Sequence, residues 1–363
     1  MDRWRRYVCL VANKNCTGTY PLRRIDASSL FYPKNNQVRL ADTPPEEHPL
    51  PLPYISFSPS RSSFGKGILD FFGLFGVGEK KTLLAAVDYR GVSLMYDVDD
   101  RVITDIATPQ VAKRGEPVSV ALGDALYVMD GKLIPGRHGG CFDALTLGPS
   151  KDLLCTRLQW DWRTLQPPPF MLEPGYKTTR ICAYTAVGGS SILISMPNIG
   201  TYSFDTVSSS WNKAGDWELP FHRRADFVPE HGVWLGFSAQ DGRLCFSSDL
   251  GASMQRQPAL DVLWDDDPTV KMISCDDLQW PQKYTRILKS DLVHLGSGEF
   301  CVARMFERVE NVLTEHGCIP QVEAFVVLTG LELKPGECGR GIEMIPHKSL
   351  LYRSEGMAYC WVF

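Results

Sequence analysis

The sequence predicts an all-β fold, and three observations indicate it. Short runs of β-branched and aromatic residues recur from one end of the 363-residue chain to the other, as expected of strands. Gly and Pro number 31 and 25, which suits many tight turns between such strands. No amphipathic pattern of about twelve or more residues indicates a helix. With 44% hydrophobic residues, the chain has enough apolar material for a large core.

The predicted strands follow one another along the whole chain. They cover residues 7–12, 83–88, 92–96, 118–121, 125–129, 181–186, 191–195, 200–204, 233–237, 244–247, 292–294, 300–306 and 324–331. The apolar run 357–363 adds a last strand, whose counterpart at the start of the chain is 7–12. If these two strands pair within one sheet, they close a ring of sheets.

Three stretches break this rhythm. Residues 43–64 contain six prolines, which disfavour the interior of a sheet. Residues 65–81 are rich in Gly, Phe and Leu and form either a short amphipathic piece or part of the same insertion, so we predict a mobile loop over 43–81. Residues 158–179, with paired Trp and a triple Pro, predict an ordered connector. None of these stretches indicates a domain boundary, and residues 1–363 are predicted to form a single domain.

One segment carries the clearest internal repeat pattern. It contains paired glycines, a hydrophobic-Asp turn and a Trp six residues later: Gly188, Gly189, Phe204, Asp205 and Trp211. This pattern resembles a blade of the kelch type. In such a blade the glycines let the backbone bend and pack closely, and the Asp accepts hydrogen bonds from N–H groups of the turn. The Trp fills the wedge between neighbouring sheets.

Weaker copies of the hydrophobic-Asp turn lie at Asp26, Asp97 and Asp143. Taken with Asp205, they are 71, 46 and 62 residues apart. These intervals fit blades of roughly 40–50 residues with insertions. The sequence therefore predicts a kelch-like β-propeller with six blades, seven being the other count, in which the terminal strands close the ring. Two β-sandwiches are the alternative fold.

A longer resemblance surrounds this repeat. Residues 201–238 read TYSFDTVSSSWNKAGDWELPFHRRADFVPEHGVWLGFS, with supporting blocks at 167–184, 290–307 and 326–333. On these blocks the chain resembles a plant family, expanded in grasses, known as domain of unknown function 1668. The resemblance implies a kelch-like propeller in a plant cell and no established activity.

No catalytic, cofactor-binding or metal-binding residues are predicted. The seven His residues lack metal-ligand spacing. The glycine-rich segment 73–80 departs from a phosphate-binding loop because Glu79 precedes Lys80. The acidic triplet 265–267 lacks the pattern of a calcium loop, and we predict a solvated loop there.

The candidate interaction residues are Trp217, Arg223 and Arg224. Trp217 is an aromatic residue of the kind that stacks on a ligand, and Arg223 and Arg224 form a small basic spot beside His222 at a predicted blade edge. The alternatives are that Trp217 packs at the rim of a blade and that the two arginines form a solvated face.

These observations favour a non-enzymatic interaction or scaffold module whose loops bind an unidentified protein partner. The alternative is an enzyme with an active site in the central channel, built from several blades. A net charge of −4 disfavours nucleic acid as a partner, and the apolar runs are too short to cross a membrane. The eleven cysteines contain no C-x-x-C pair, so we expect the protein in the reducing cytoplasm or nucleus. We also expect it to be a monomer.

Overall fold

The computed structural model describes residues 5–14, 18–33, 44–60, 68–75, 82–109, 111–137, 139–149, 158–250, 256–265, 267–275, 283–314, 317–336, 341–353 and 357–363. Within these ranges the chain forms β-strands and three short 3-10 helices, without any α-helix, which confirms the all-β prediction. The same ranges contain no helix that is long and apolar enough to cross a membrane. The chain divides into two compact units: unit 1 is Met1–Ser58, Asp241–Cys245 and Val262–Phe363, and unit 2 is Pro59–Gln240 and Phe246–Asp261.

The elements follow in chain order. The first strands are β1 (Tyr7–Lys14), β2 (Tyr20–Asp26), β3 (Glu46–His48), β4 (Ile55–Phe57), β5 (Leu69–Phe75), β6 (Thr82–Asp88), β7 (Ser93–Asp97), β8 (Val102–Ile106), β9 (Val118–Leu122), β10 (Ala125–Met129), β11 (Lys132–Leu133), β12 (Phe142–Pro149), β13 (Leu158–Thr164) and β14 (Thr179–Arg180). The later strands are β15 (Ala183–Val187), β16 (Ser191–Met196), β17 (Gly200–Asp205), β18 (Ser210–Gly215), β19 (Phe221–Val228), β20 (Val233–Ser238), β21 (Leu244–Ser247), β22 (Asp261–Val262), β23 (Ser274–Cys275), β24 (Lys283–Gly296), β25 (Glu299–Thr314), β26 (Gly317–Pro335), β27 (Ile342–Arg353) and β28 (Met357–Val362). The 3-10 helices are Ala27–Leu30, Pro169–Leu172 and Val270–Met272.

In unit 1 the two ends of the chain lie in one four-stranded sheet, ordered β28-β1-β2-β4. β1 and β28 are antiparallel, with Val11 opposite Trp361. The backbone groups of Cys9 and Phe363 exchange hydrogen bonds of 2.8 and 3.0 Å. The predicted pairing of the chain ends is therefore present. The closure of a ring by this pairing and the count of six blades stay predictions.

The second sheet of unit 1 is ordered β23-β24-β25-β26-β27-β3. In β25 it contains Arg304, whose fully buried guanidinium donates to the equally buried Asp267 at 2.6 Å. Asp267 also accepts a hydrogen bond from the backbone N–H of Thr269 at 2.8 Å. The prediction of a solvated loop over 265–267 is thus wrong for Asp267, because a guanidinium buried in a sheet requires a carboxylate partner.

Unit 2 contains antiparallel sheets whose strands follow chain order. They are β5-β6-β7-β8, β9-β10-β12-β13 and β15-β16-β17-β18, and the last continues from β15 into β19 and β20. Four-stranded sheets of this kind are the blades of β-propellers. Their first strands lie side by side: β5 is next to β9, β9 is next to β15, and β15 pairs in parallel with β19. We call the surface formed by β5, β9, β15 and β19 the first-strand face.

Within the predicted loop 43–81, the described residues include three strands, β3, β4 and β5. β3 pairs with β27, β4 with β2, and β5 with β6. In β5, Phe72 and Leu74 are buried in the core. Leu69 and Phe71, which point to the opposite face of the strand, are buried as well, so the apolar residues of β5 outweigh its glycine. The prediction of a mobile loop is therefore wrong for these strands. Residues 61–67 and 76–81 lie outside the described residues.

The connector predicted at 158–179 begins as a strand. β13 pairs with β12 and places Trp162 opposite Leu145. Trp160 and Trp162 pack against the core formed with β5, β6 and β10. Large apolar residues that alternate with polar ones are typical of a strand with one buried face. The prediction of a connector gave more weight to the triple proline that follows this alternation.

Candidate functional site

The paired glycines shape the turn between β15 and β16. Gly188 and Gly189 have left-handed φ values of 63° and 74°, which residues with a Cβ adopt only at a cost. A Cβ built on either residue meets open space. The expectation that these glycines permit close packing is therefore wrong, and the backbone conformation alone accounts for them.

Two of the predicted Asp turns have the same geometry. Asp205 accepts hydrogen bonds from the backbone N–H groups two and three residues later, at 2.8 and 3.0 Å. Asp97 accepts from the equivalent N–H groups, both at 2.9 Å. Hydrogen bonds from the N–H groups of Ser208 and Val207 lower the pKa of the Asp205 carboxyl, because they favour its charged form.

Trp211 packs between two sheets of unit 2. It lies opposite Phe204 in the register of β17 and β18, and the two ring centroids are 5.0 Å apart. The ring of Phe142, on β12 of the preceding sheet, is 5.6 Å away. The indole N–H of Trp211 donates to the carbonyl oxygen of Gln166 at 2.9 Å. The structure thus places Trp211 where a wedge between sheets is expected.

The other two Asp residues have different roles. Asp26 caps the 3-10 helix Ala27–Leu30 and accepts from the N–H of Ser28 at 2.9 Å. Asp143 is the second residue of β12, is fully buried and forms an ion pair with Lys113. The prediction of a turn at Asp143 is wrong, because the residues that follow it, Ala-Leu-Thr-Leu, favour a continued strand.

Asp143 belongs to a buried group of charges that has a structural role. Besides the pair with Lys113, Asp130 accepts from the Nε of Arg137 at 2.9 Å. Burial raises the pKa of Asp130, although the hydrogen bond from Arg137 opposes this shift. Burial also raises the pKa of the nearby Cys141 to about 11. Cys141 is therefore a protonated thiol at neutral pH and a poor nucleophile.

Arg223 and Arg224 lie in a bulge of β19 on the first-strand face. Where β19 pairs with β20, His222 and Ala225 are opposite consecutive residues of β20, so the two arginines are extra residues without partners on that strand. Arg223 has a left-handed φ of 63°, which is uncommon for residues other than glycine. Bulges redirect side chains and are frequent beside functional sites.

A carboxylate from the neighbouring sheet meets the first of these arginines. Glu116, two residues before β9, forms an ion pair with Arg223. Glu116 also has a left-handed φ, 59°. Gly131 allows this backbone to approach closely, because a Cβ there would overlap the carbonyl oxygens of Gly115 and Glu116. Both partners of the ion pair therefore have strained backbone conformations, of the kind that cluster at functional sites.

The second arginine lies beside a small cavity. The Nε and Nη2 of Arg224 are each 2.6 Å from Oδ1 of Asp226. The cavity, between β9, β15 and β19, encloses about 30 Å³, which is room for about two water molecules. Phe227 lines the cavity and is 45% exposed, and Trp234 packs against it with ring centroids 4.6 Å apart. The cavity thus combines charged groups with an exposed aromatic ring that packs against a tryptophan of the neighbouring strand.

A third carboxylate, Asp70, is contributed by β5 and lies opposite Val87 of β6. Its burial, and to a smaller extent the charge of Glu116, raise its pKa to about 7. Asp70 therefore titrates near neutral pH. We call Asp70, Glu116, Arg223, Arg224 and Asp226 the first-strand cluster.

Trp217 packs inside unit 2. A Cβ on Gly215 would overlap its indole ring, and Trp217 packs against the core that contains Leu219 and Phe221. Of the two interpretations of Trp217 that the sequence leaves open, the structure favours packing.

Three members of the cluster were missed by the sequence analysis. Asp70 had a visible signal, because it is the only charged residue in the apolar run 68–77. Glu116 had none, since its partner Arg223 is 107 residues away in the chain. Within the described ranges, no three His, Cys, Asp or Glu residues are grouped so that they could hold a metal ion.

Comparisons with known proteins identify a family and distant likenesses. The profile of the family described as "Protein of unknown function (DUF1668)" matches residues 5–352. The search of curated proteins gives no match.

Among solved structures, the WD40 domain of SCAP from fission yeast is similar with a TM-score of 0.34 and 12% identity, over 95% of this chain and 74% of that one. Apo AztD from Citrobacter koseri is similar with a TM-score of 0.32 and 10% identity, over 97% and 99% of the two chains. BamB from Moraxella catarrhalis has a TM-score of 0.27 and 11% identity, over 75% and 84%. Likenesses this distant say nothing about what the chain binds.

Proposed function

Because the chain belongs to the DUF1668 family of proteins of unknown function, which supplies no activity, we propose from the geometry that it is a non-enzymatic binding module. The module takes a polypeptide partner on its first-strand face. The observation that carries this proposal is the two-residue arginine bulge of β19. It inserts Arg223 and Arg224 into a strand that would otherwise pair regularly.

The composition of the face supports a protein partner. The side chains of Arg223, Arg224 and Glu116 are 33%, 38% and 54% exposed, so they are accessible while already held in place. Phe227 adds an exposed aromatic ring that packs against the ring of Trp234. Aromatic residues and arginines that are fixed by their neighbours are typical of the residues that dominate protein interfaces.

The size of the cavity supports a side chain rather than a metabolite as the occupant. Its volume of about 30 Å³ is far below the several hundred cubic ångströms of typical small-molecule sites. Asp226 and Phe227 line it, so a small side chain of a partner inserts there while neighbouring residues of the partner meet the charged groups. The face therefore fits an extended segment of polypeptide.

The same proposal includes the setting of the protein. We propose that the protein is a kelch-like module and a monomer in the cytoplasm or nucleus of a plant cell. Its partner is a protein and neither nucleic acid nor a membrane. The segment 201–238 and its resemblance support the kelch-like type and the plant origin. The net charge of −4 supports the absence of nucleic acid, and the free cysteine thiols, of which Cys318 is exposed, support a reducing compartment. Cell fractionation and light scattering test location and oligomeric state.

One observation favours an enzyme as the second candidate. Asp70 has a pKa near 7, which suits a general acid or base. A screen of ester, glycoside and phosphoester substrates between pH 6 and 8 tests this candidate. Turnover by the wild type that Asp70→Asn abolishes supports it, and no turnover, or turnover that Asp70→Asn leaves unchanged, contradicts it.

A displayed library of random twelve-residue peptides tests the binding proposal. Peptides are selected on the full chain at pH 7 and then tested on Arg224→Glu and on Arg256→Glu. Arg256 is the matched control, because its side chain is 80% exposed and lies in the same unit outside the first-strand cluster. We expect peptides that bind the wild type and Arg256→Glu and bind Arg224→Glu at least about tenfold more weakly. If no peptide is enriched, or if Arg224→Glu binds as well as the wild type, the proposal is wrong.

A further inference from the structure

A second group of arginines lies in unit 1, in the sheet that joins the chain ends. The guanidinium carbon of Arg24, on β2, is 4.1 Å from the ring centroid of Tyr54 and 5.2 Å from that of Tyr7. The guanidinium of Arg6 lies 5.1 Å from the same Tyr7 centroid. We call Arg6, Tyr7, Arg24 and Tyr54 the arginine–tyrosine stack. It holds two positive charges against two aromatic rings, a favourable arrangement for each guanidinium.

The hydrogen-bonding groups of Arg24 are incompletely used. Its Nε and Nη2 are buried and donate to no residue that the structure describes. These two N–H groups lie on one edge of the guanidinium, the edge that binds two oxygens of a carboxylate or phosphate at once. Buried polar groups are nearly always satisfied, and an exception calls for a bound water or ion.

Over the described ranges neither Arg6 nor Arg24 forms an ion pair, whereas Arg223, Arg224 and Arg304 each have a carboxylate partner.

The carboxylate nearest in the register has other partners. Asp26, opposite Tyr7, accepts from the backbone N–H and the hydroxyl of Ser28 at 2.9 and 2.6 Å. Because Arg6 and Arg24 approach the same ring of Tyr7 and their charges repel, a single anion between them would stabilise both.

We infer that the arginine–tyrosine stack is an oxyanion-binding site. One oxyanion group of the ligand accepts two hydrogen bonds from Nε and Nη2 of Arg24, and Arg6 supplies the second positive charge. The ring of Tyr54, which is 36% exposed and precedes the three-residue edge strand β4, turns aside to uncover this edge of Arg24. The site lies in unit 1 and is independent of the first-strand cluster, which lies in unit 2.

Phosphate and carboxylate groups share the required chemistry, and the experiment separates them. Binding of anions to the full chain is measured by isothermal titration calorimetry. Sodium phosphate and sodium acetate are titrated separately, each at an ionic strength held constant with sodium chloride. Saturable binding of phosphate alone identifies a phosphate group as the ligand chemistry, and saturable binding of acetate identifies a carboxylate. Absence of saturable binding by both anions contradicts the inference.

Variants then test the residues. Arg24→Lys keeps the positive charge but cannot donate two parallel hydrogen bonds to one oxyanion group. We therefore expect it to weaken anion binding at least about tenfold. Arg6→Gln replaces an exposed residue and should weaken binding several-fold without unfolding, so it decides the question if Arg24→Lys does not fold. Arg90→Gln is the control. The guanidinium of Arg90 also lies over a tyrosine ring, 5.5 Å from the centroid of Tyr89, but outside the stack. The Arg90→Gln variant should therefore bind the anion as well as the wild type does. Wild-type affinity in Arg6→Gln contradicts the inference.

Discussion

Replacement of Asp70 by Asn should stabilise the protein strongly at pH 8 and much less at pH 5. Burial raises the pKa of Asp70 from 3.8 to about 7 in the folded state, while the unfolded chain has the ordinary value. Between these two pKa values the folded state holds a proton that the unfolded state has released, so the free energy of unfolding falls as the pH rises from about 4 to 7. At 1.36 kcal/mol per pKa unit the full penalty is about 4 kcal/mol, and roughly 2.5 kcal/mol of it develops between pH 5 and pH 8. Asn carries no charge and removes this penalty.

Urea unfolding followed by tryptophan fluorescence at pH 5 and pH 8 measures this effect. Asp88→Asn is the control. The Asp88 carboxylate is buried, which by itself raises its pKa, but hydrogen bonds from Ser60, Arg90 and Val92 lower the pKa overall. Asp88→Asn should therefore destabilise the protein at pH 8, with the opposite sign to Asp70→Asn. If Asp70→Asn changes the free energy of unfolding equally at both pH values, the reasoning about its burial is refuted.

Three further predictions concern packing, backbone and reactivity. Trp211→Ala should lower the free energy of unfolding by about 2–4 kcal/mol, measured in urea, because it empties the contact between two sheets; a loss near zero would contradict the wedge. Gly188→Ala should cost about 1 kcal/mol through its left-handed φ, whereas Gly148→Ala, where a Cβ also meets open space but φ is not left-handed, should stay within about 0.5 kcal/mol of the wild type. Iodoacetamide at pH 8 should alkylate the exposed Cys318 and spare Cys141, whose pKa is about 11; mass spectrometry that finds equal modification would show that Cys141 is accessible.

The local features of the fold could be predicted from the sequence because they depend on neighbouring residues. The turn at Asp205 and the packing position of Trp211 follow from a pattern within a few residues. The pairing of the two chain ends could be predicted because both are strongly apolar strands. The strands within 43–81 were missed for two reasons. β3 and β4 have three residues each and pair with β27 and β2, which are distant in sequence. β5 contains a glycine, although its partner β6 follows it directly in the chain.

The candidate site could be predicted only in part for the same reason. Arg223 and Arg224 stand out as adjacent basic residues, but the bulge that makes them extra residues depends on their register with β20. Asp143 was assigned to a turn because Phe142-Asp143 repeats the hydrophobic-Asp pattern, and its ion-pair partner Lys113 is 30 residues away in the chain. Glu116 becomes informative only when the first strands of two sheets are known to be neighbours.

An exchange of the charges of the Glu116–Arg223 pair tests the central claim most directly, because it separates a binding site from an ion pair that only holds two sheets together. The single variants Glu116→Arg and Arg223→Glu place like charges together, and the double variant restores attraction. For a peptide selected on the wild type, we predict that the double variant recovers the wild-type urea midpoint but binds the peptide at least about tenfold more weakly. Wild-type peptide affinity in the double variant would contradict the claim that the first-strand cluster recognises a partner.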